Sequence, residues 1–188
     1  MNSLKTYLLL LCVLLLNIGC GDTENEYSNI RCYVVFNNAT HLDATLASAM
    51  NPSAPGIYCK VSTTFNAGVN YFAFRNNQGQ ESLSKFDAED ARRSLTIGLN
   101  NGIIVGFSNL TQPATFYAFD AECPNCFDPA AVPVKSKPLE VSTSGIATCK
   151  ACNRQYTLNN GGMPNDGGKK LTRYHATSTG PYGMLSVQ

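Results

Sequence analysis

The chain has 188 residues, with 14 Lys and Arg against 13 Asp and Glu for a formal net charge of +1. That balance does not suggest nucleic acid or an anionic membrane surface as a partner. Only 14% of the residues are charged, and 15 Gly with many Asn, Ser and Thr describe a loop-rich, exported β protein.

The chain opens on a targeting segment. Met1 to Lys5 carries one positive charge, and Tyr7 to Leu16 is an apolar run too short to span a bilayer. It ends at Leu16-Asn17-Ile18-Gly19-Cys20, a small residue directly before a cysteine. This resembles the lipobox of bacterial lipoproteins, with Asn17 standing where that pattern has an aliphatic residue. The resemblance implies a signal peptide over residues 1–19, cut before Cys20, and a lipid on Cys20. Lys5 is the only charge removed, so basic and acidic residues balance in the remainder. The expected location is the cell envelope, lipid-anchored to the membrane and facing the periplasm or the cell surface. An ordinary secretory signal cut nearby is the alternative.

Residues 20–29 read as a polar, acidic tether, and residues 30–188 as a single β domain large enough for a real core. Ile30 to Phe36 is β-branched and aromatic, the first expected strand. Thr45 to Met50 suits a helical turn, which Asn51-Pro52-Ser53-Ala54-Pro55-Gly56 breaks. Ile57 to Thr64 and Asn70 to Arg75 read as strands, parted by Asn66-Ala67-Gly68 and followed by a turn at Asn76 to Gly79. Asp87 to Arg93 is the best helix candidate, with its charges expected on a solvated face. Asn100-Asn101-Gly102 turns into a strong strand, Ile103 to Phe107, and Ala114 to Phe119 is another. After a proline-bearing loop, Leu139 to Ser142 and Gly145 to Thr148 suggest a hairpin. Arg154 to Leu158, Leu171 to His175 and Gly183 to Val187 follow as strands. Short strands at this spacing predict an all-β antiparallel barrel or sandwich.

Two Cys-x2-Cys pairs organise the second half: Cys123-Pro124-Asn125-Cys126 and Cys149-Lys150-Ala151-Cys152. Each pair holds one edge of a metal ion, and the intervening residues 127–148 bring the edges together. Four thiols so arranged suit a tetrahedral site, in a metal-binding subdomain over about residues 120–170. Two disulfides among the same four thiols are the competing reading in an oxidising compartment. A thioredoxin-like dithiol is disfavoured, because Phe127-Asp128-Pro129 breaks the helix it needs. Cys12 lies in the signal. Cys32 and Cys59 remain, in strand-like runs that could lie side by side, and they are expected to form a disulfide. Two buried thiols are the alternative. His41 and His175 read as surface or strand polar residues rather than ligands. No motif of a nucleophile elbow, phosphate loop or zinc protease appears, so an enzyme is not expected.

From about Ile103 to Val187 the chain resembles a Rieske domain. Phe116-Tyr117-Ala118-Phe119-Asp120-Ala121-Glu122-Cys123-Pro124 is similar to the family's first box. Cys149-Lys150-Ala151-Cys152-Asn153-Arg154-Gln155-Tyr156-Thr157 is similar to its second, and Gly161-Gly162-Met163-Pro164 to the turns that follow. The resemblance implies a Rieske-like fold with an inserted two-knuckle subdomain. A Rieske cluster is held by two Cys and two His, however, and both histidine positions are cysteine here, Cys126 and Cys152. The first box is also one residue longer than the family's. The ligand pattern is nearer a zinc ribbon or rubredoxin.

Zinc is ranked first, mononuclear iron second, and an all-cysteine [2Fe–2S] cluster third. A cluster carrier is normally exported folded by the twin-arginine route, and no arginine precedes the apolar run. The leading expectation is a lipid-anchored module with structural zinc that binds or assembles with an unidentified protein partner. The alternative is a periplasmic electron-transfer protein with iron or a cluster at the same cysteines.

Overall fold

The computed structural model describes residues 26–188. The expected signal peptide, Cys20 and the tether as far as residue 25 lie outside the described residues. The first strand, β1 (Val34–Asn37), runs directly into a short helix, α1 (Asn38–His41), whose first turn is capped by the Asn37 side chain. A second helix, α2 (Ala44–Ala49), starts at Asp43, whose carboxylate accepts the Leu46 N–H at 2.8 Å. A meander follows: β2 (Tyr58–Asn66), β3 (Val69–Asn76) and β4 (Glu81–Lys85). Ala67 and Gly68 make the β2–β3 turn with φ of 48° and 82°, the left-handed pair that a two-residue hairpin demands.

The second half holds β5 (Ile103–Phe107), β6 (Phe116–Asp120), β7 (Leu139–Val141), β8 (Ile146–Cys149), β9 (Gln155–Thr157) and β10 (Met163–Pro164). It closes with β11 (Arg173–Tyr174), β12 (Ala176–Ser178) and β13 (Met184–Val187). The strands form three sheets, ordered β1-β13-β12, β10-β9-β8-β7 and β11-β6-β5-β2-β3-β4, and the pairings are antiparallel. The all-β expectation is therefore met. The sheets are open, and none among the described residues closes into a barrel.

The six-stranded sheet is covered on both faces. Ile103 and Val105 of β5 join one core with Val34, Phe36, Leu46, Phe72, Phe74 and Leu185. Ile104, between them in sequence, joins a second core with Tyr58, Phe119, Leu139, Tyr156 and Leu158. Side chains alternate across a strand, so an uninterrupted Ile-Ile-Val run needs apolar partners on both sides. Gly106 ends the run because Tyr58 packs over it, and a Cβ there would collide with Ile57 O and the Tyr58 ring. Strands β7 to β10 are inserted between β6 and β11, which are themselves paired. The inserted sheet therefore packs on one face of the larger sheet and leaves its strand order intact.

Several expectations change. The Cys32–Cys59 disulfide is not formed: both are free, buried thiols in the first core. Strand β1 pairs with β13 and not with β2, so the two cysteine runs do not lie side by side. The Cys32 thiol is pushed up to about 11 by burial, against the Gly98 N–H that faces it. Burial likewise raises Cys59, against the Arg75 N–H. The helix expected over 87–93 is one 3-10 turn at Asp90–Arg92. Glu26 to Ser28, at the end of the expected tether, lie against β11. Arg173 donates to Glu26 Oε1 at 2.7 Å, its guanidinium sits 4.8 Å over the Tyr27 ring, and Ser28 N–H donates to Arg173 O.

Candidate metal centre

The first knuckle hangs from the end of β6. Asp120 there is fully buried. Its Oδ2 accepts the Leu99 N–H at 2.6 Å and the Tyr174 hydroxyl at 2.8 Å, and its Oδ1 accepts the Glu122 N–H at 2.7 Å. Burial raises its pKa even against these three donors. Glu122 Oε1 accepts from the Asn100 amide at 2.8 Å and the Ser136 hydroxyl at 2.6 Å, and its Oε2 accepts the Lys137 N–H. The two carboxylates thus cap turns and tie Cys123 to the segment that leads into β7. Cys123 O then accepts the N–H groups of Cys126 and Phe127, at 3.1 and 2.9 Å, closing the turn.

The second knuckle joins β8 to β9. Cys149 O accepts the Asn153 N–H at 2.8 Å, and Cys149 N–H donates to Arg154 O at 2.9 Å. Asn153 has φ of 58°, the left-handed conformation that asparagine tolerates and that this turn needs. The N–H groups of Cys152 and Ala151 face the Cys149 sulfur, and the Arg154 N–H faces the Cys152 sulfur.

The thiols of Cys123, Cys126, Cys149 and Cys152 all lie within 4.8 Å of one another. Cys123 Sγ and Cys152 Sγ, from different knuckles, are 3.8 Å apart. That is far beyond a disulfide bond of about 2.05 Å, and all four are free. It equals the edge of about 3.8 Å that a tetrahedron with metal–sulfur bonds of about 2.3 Å requires. No family model matches the chain, and no curated protein or solved structure matches it either. The site is read from its own chemistry.

The four thiols share their protons unequally. Burial opposes a thiolate at Cys152, but the Arg154 N–H and the thiols of Cys126, Cys149 and Cys123 donate to it and bring it down to about 7. Cys126 is pushed up to about 12, by burial first and then by holding its proton toward Cys152 and Cys123. Burial raises Cys149 too. A cation binding between the knuckles would displace the protons of these thiols.

Two supporting residues went unrecognised in the sequence. The Tyr156 hydroxyl lies 3.4 Å from Cys123 Sγ and accepts the Asn125 amide at 2.7 Å. Asn125, inside the first knuckle, is held in turn by Lys169 N–H at 3.3 Å. Tyr156 is fully buried, and its position two residues into β9 resembles any core aromatic, so only the fold reveals its role. Lys150, next to Cys149, pairs with Glu140 at the surface, 2.5 Å away. The Arg154 guanidinium lies beside Asn125 and Gly168, with Nε buried and without a partner among the described residues.

The histidines stay away from the thiols. His175 stacks on Tyr27 at 3.6 Å, as a surface residue can. His41 departs from expectation: its side chain is 6% exposed and faces Asp87 and Asp90. Asp90, expected on a solvated helix face, is buried.

Proposed function

We propose that this chain is a lipid-anchored envelope protein with a Rieske-like fold whose four cysteines hold a structural zinc. The stiffened domain serves as a binding or assembly module for another protein. The observation that carries this reading is the set of four free thiols, from two knuckles, all within 4.8 Å. Zinc suits four thiolates with no open position and would tie β6 to β8 and β9, which share no sheet. The insertion of the knuckle-bearing sheet between β6 and β11, and the order of the boxes along the chain, support the Rieske-like reading. A two-iron cluster spreads its thiolate pairs to opposite ends of a rhomb, which suits four sulfurs this close less well.

Mononuclear iron is the second reading, and the N–H groups facing Cys149 and Cys152 favour it. Such hydrogen bonds to sulfur set the potential of iron–thiolate centres, and the protein would then carry electrons. Metal content and a visible spectrum of the full chain purified in detergent decide between them. One zinc per chain without colour supports the structural site. Iron with visible absorption supports electron transfer. Neither metal nor reactive thiols would overturn both.

A further inference from the structure

The unexplained feature of the larger core is His41. Its ring lies against Phe36, 4.5 Å between centroids at 25°, with Phe72 edge-on at 6.2 Å. Nδ1 is 2.7 Å from Ser84 Oγ. Nε2 is buried and faces two carboxylates, 2.9 Å from Asp90 Oδ2 and 3.7 Å from Asp87 Oδ2. The shorter distance is that of an ion pair, but the angle is not that of a hydrogen bond. Nε2 therefore has no hydrogen-bond partner among the described residues. A buried ring nitrogen without a partner is costly unless something occupies the direction in which it points.

The partners of the surrounding groups show what that is. The Asp90 Oδ1 edge is taken by Arg93 at 3.3 Å, and Arg93 also pairs with Glu89 at 3.0 Å. Asp87 Oδ1 accepts the N–H groups of Glu89 and Asp90, both at 2.8 Å. Together with the Asp87 N–H that Asp90 Oδ2 accepts at 3.0 Å, these bonds hold both Oδ2 atoms beside His41. If Nδ1 donates its proton to Ser84 Oγ, the Nε2 lone pair and two carboxylate oxygens converge on one point. A ligating histidine commonly donates its second ring nitrogen in this way, fixing tautomer and orientation. Asp87, Asp90, Glu89 and Arg93 sum to two negative charges beside the ring, which one divalent cation cancels. The three ligand atoms lie within 4.8 Å of one another, and the Asp87 side chain is 40% exposed, so the point is reachable from solvent.

We propose that His41 Nε2, Asp87 Oδ2 and Asp90 Oδ2 form a second cation site, for a divalent first-row metal of the imidazole–carboxylate class such as zinc. It is independent of the four-cysteine site: its ring partners Phe36 and Phe72 belong to the first core, and the cysteines to the second. Three protein ligands leave positions for water. The same Ser–His–Asp contacts do not make a nucleophile, because Ser84 is buried.

The test is a zinc titration of the full chain in detergent, followed by calorimetry and by the ring nitrogen signals of His41, with His175 as internal control. The expected result is two zinc equivalents. The weaker one moves His41 Nε2 alone. It falls at least tenfold in affinity in Asp87→Asn, while the tighter equivalent and the melting temperature before zinc addition are unchanged. Asp87 is partly exposed, so this variant is expected to fold. A single equivalent, or a second one unaffected by Asp87→Asn, overturns the proposal. So does a His41 ring protonated on both nitrogens at neutral pH with excess zinc present, which would make it an ion pair and nothing more.

Discussion

The two cores of this protein are held by different physics. The first is an apolar cluster in which Phe36, Phe72 and Phe74 pack edge to face, with centroids 4.8 to 5.0 Å apart across Phe36. Burial of such rings contributes about 2–3 kcal/mol each. The second is smaller, and the inserted sheet that covers it has two strands of three residues, one of four and one of two. These short strands bury Leu139, Ala147 and Tyr156 against the larger sheet. The carboxylates of Asp120 and Glu122 tie its segments together, and on the proposed reading a metal on the four thiols adds to them. The comparison sets an aromatic core beside one whose covering sheet has short strands and a cluster of four thiols that could hold a metal ion.

The sharpest way to break the comparison is to remove the metal or one ligand. Cys149→Ser should abolish stoichiometric metal and lower the melting temperature by more than about 10 °C, since structural zinc contributes on the order of 10 kcal/mol. Unchanged metal content and melting would sink the structural site. Phe72→Ala should cost about 3–5 kcal/mol in chemical denaturation yet leave metal per folded chain unchanged. Loss of metal in that variant would show that the two cores are not separable.

Asp120→Asn tests the joint between them. One amide nitrogen would face a donor that the carboxylate now accepts, so a cost of about 2–3 kcal/mol is expected. A smaller effect is expected from Tyr156→Phe, which removes the hydroxyl 3.4 Å from Cys123 Sγ. Metal affinity should fall about tenfold, read by competition with a chelator, with little change in the metal-free melt. A last test separates the cores by pH. A free thiol titrates at about 8.5, and the folded Cys32 thiol at about 11. Its contribution is full below about 8.5 and is lost as pH rises through about 11, because the unfolded chain releases the proton first. Urea melts at pH 8 and pH 10.5 should therefore show an alkaline loss that shrinks in Cys32→Ala. An equal loss in both proteins would remove Cys32 from the account.

Much of the architecture was legible in the residues. The hairpin at Asn66-Ala67-Gly68, the turn at Asn100 to Gly102 and the strand at Ile103 to Phe107 follow from turn chemistry and β-branched runs. Strands β4, β10 and β12 were missed, because Glu81 to Lys85, Met163-Pro164 and Ala176 to Ser178 are mostly polar or too short to show a period. The two Cys-x2-Cys pairs could be read directly, since the spacing that places two thiols on one ion lies within a single turn. Asn153, after the second cysteine of its knuckle, takes its left-handed conformation for a similarly local reason.

What only the tertiary structure decided is everything that depends on strands far apart in sequence. Whether Cys32 meets Cys59 turns on β1 pairing with β13, a contact between the two ends of the domain that no local pattern encodes. The same holds for Tyr156 reaching Cys123, and for His41 meeting two aspartates after β4. A turn is set by its own φ values and a knuckle by its own spacing, so both are written locally. A pairing or a buried polar contact is set by which surfaces the whole chain brings together to exclude water, and only the folded chain states that.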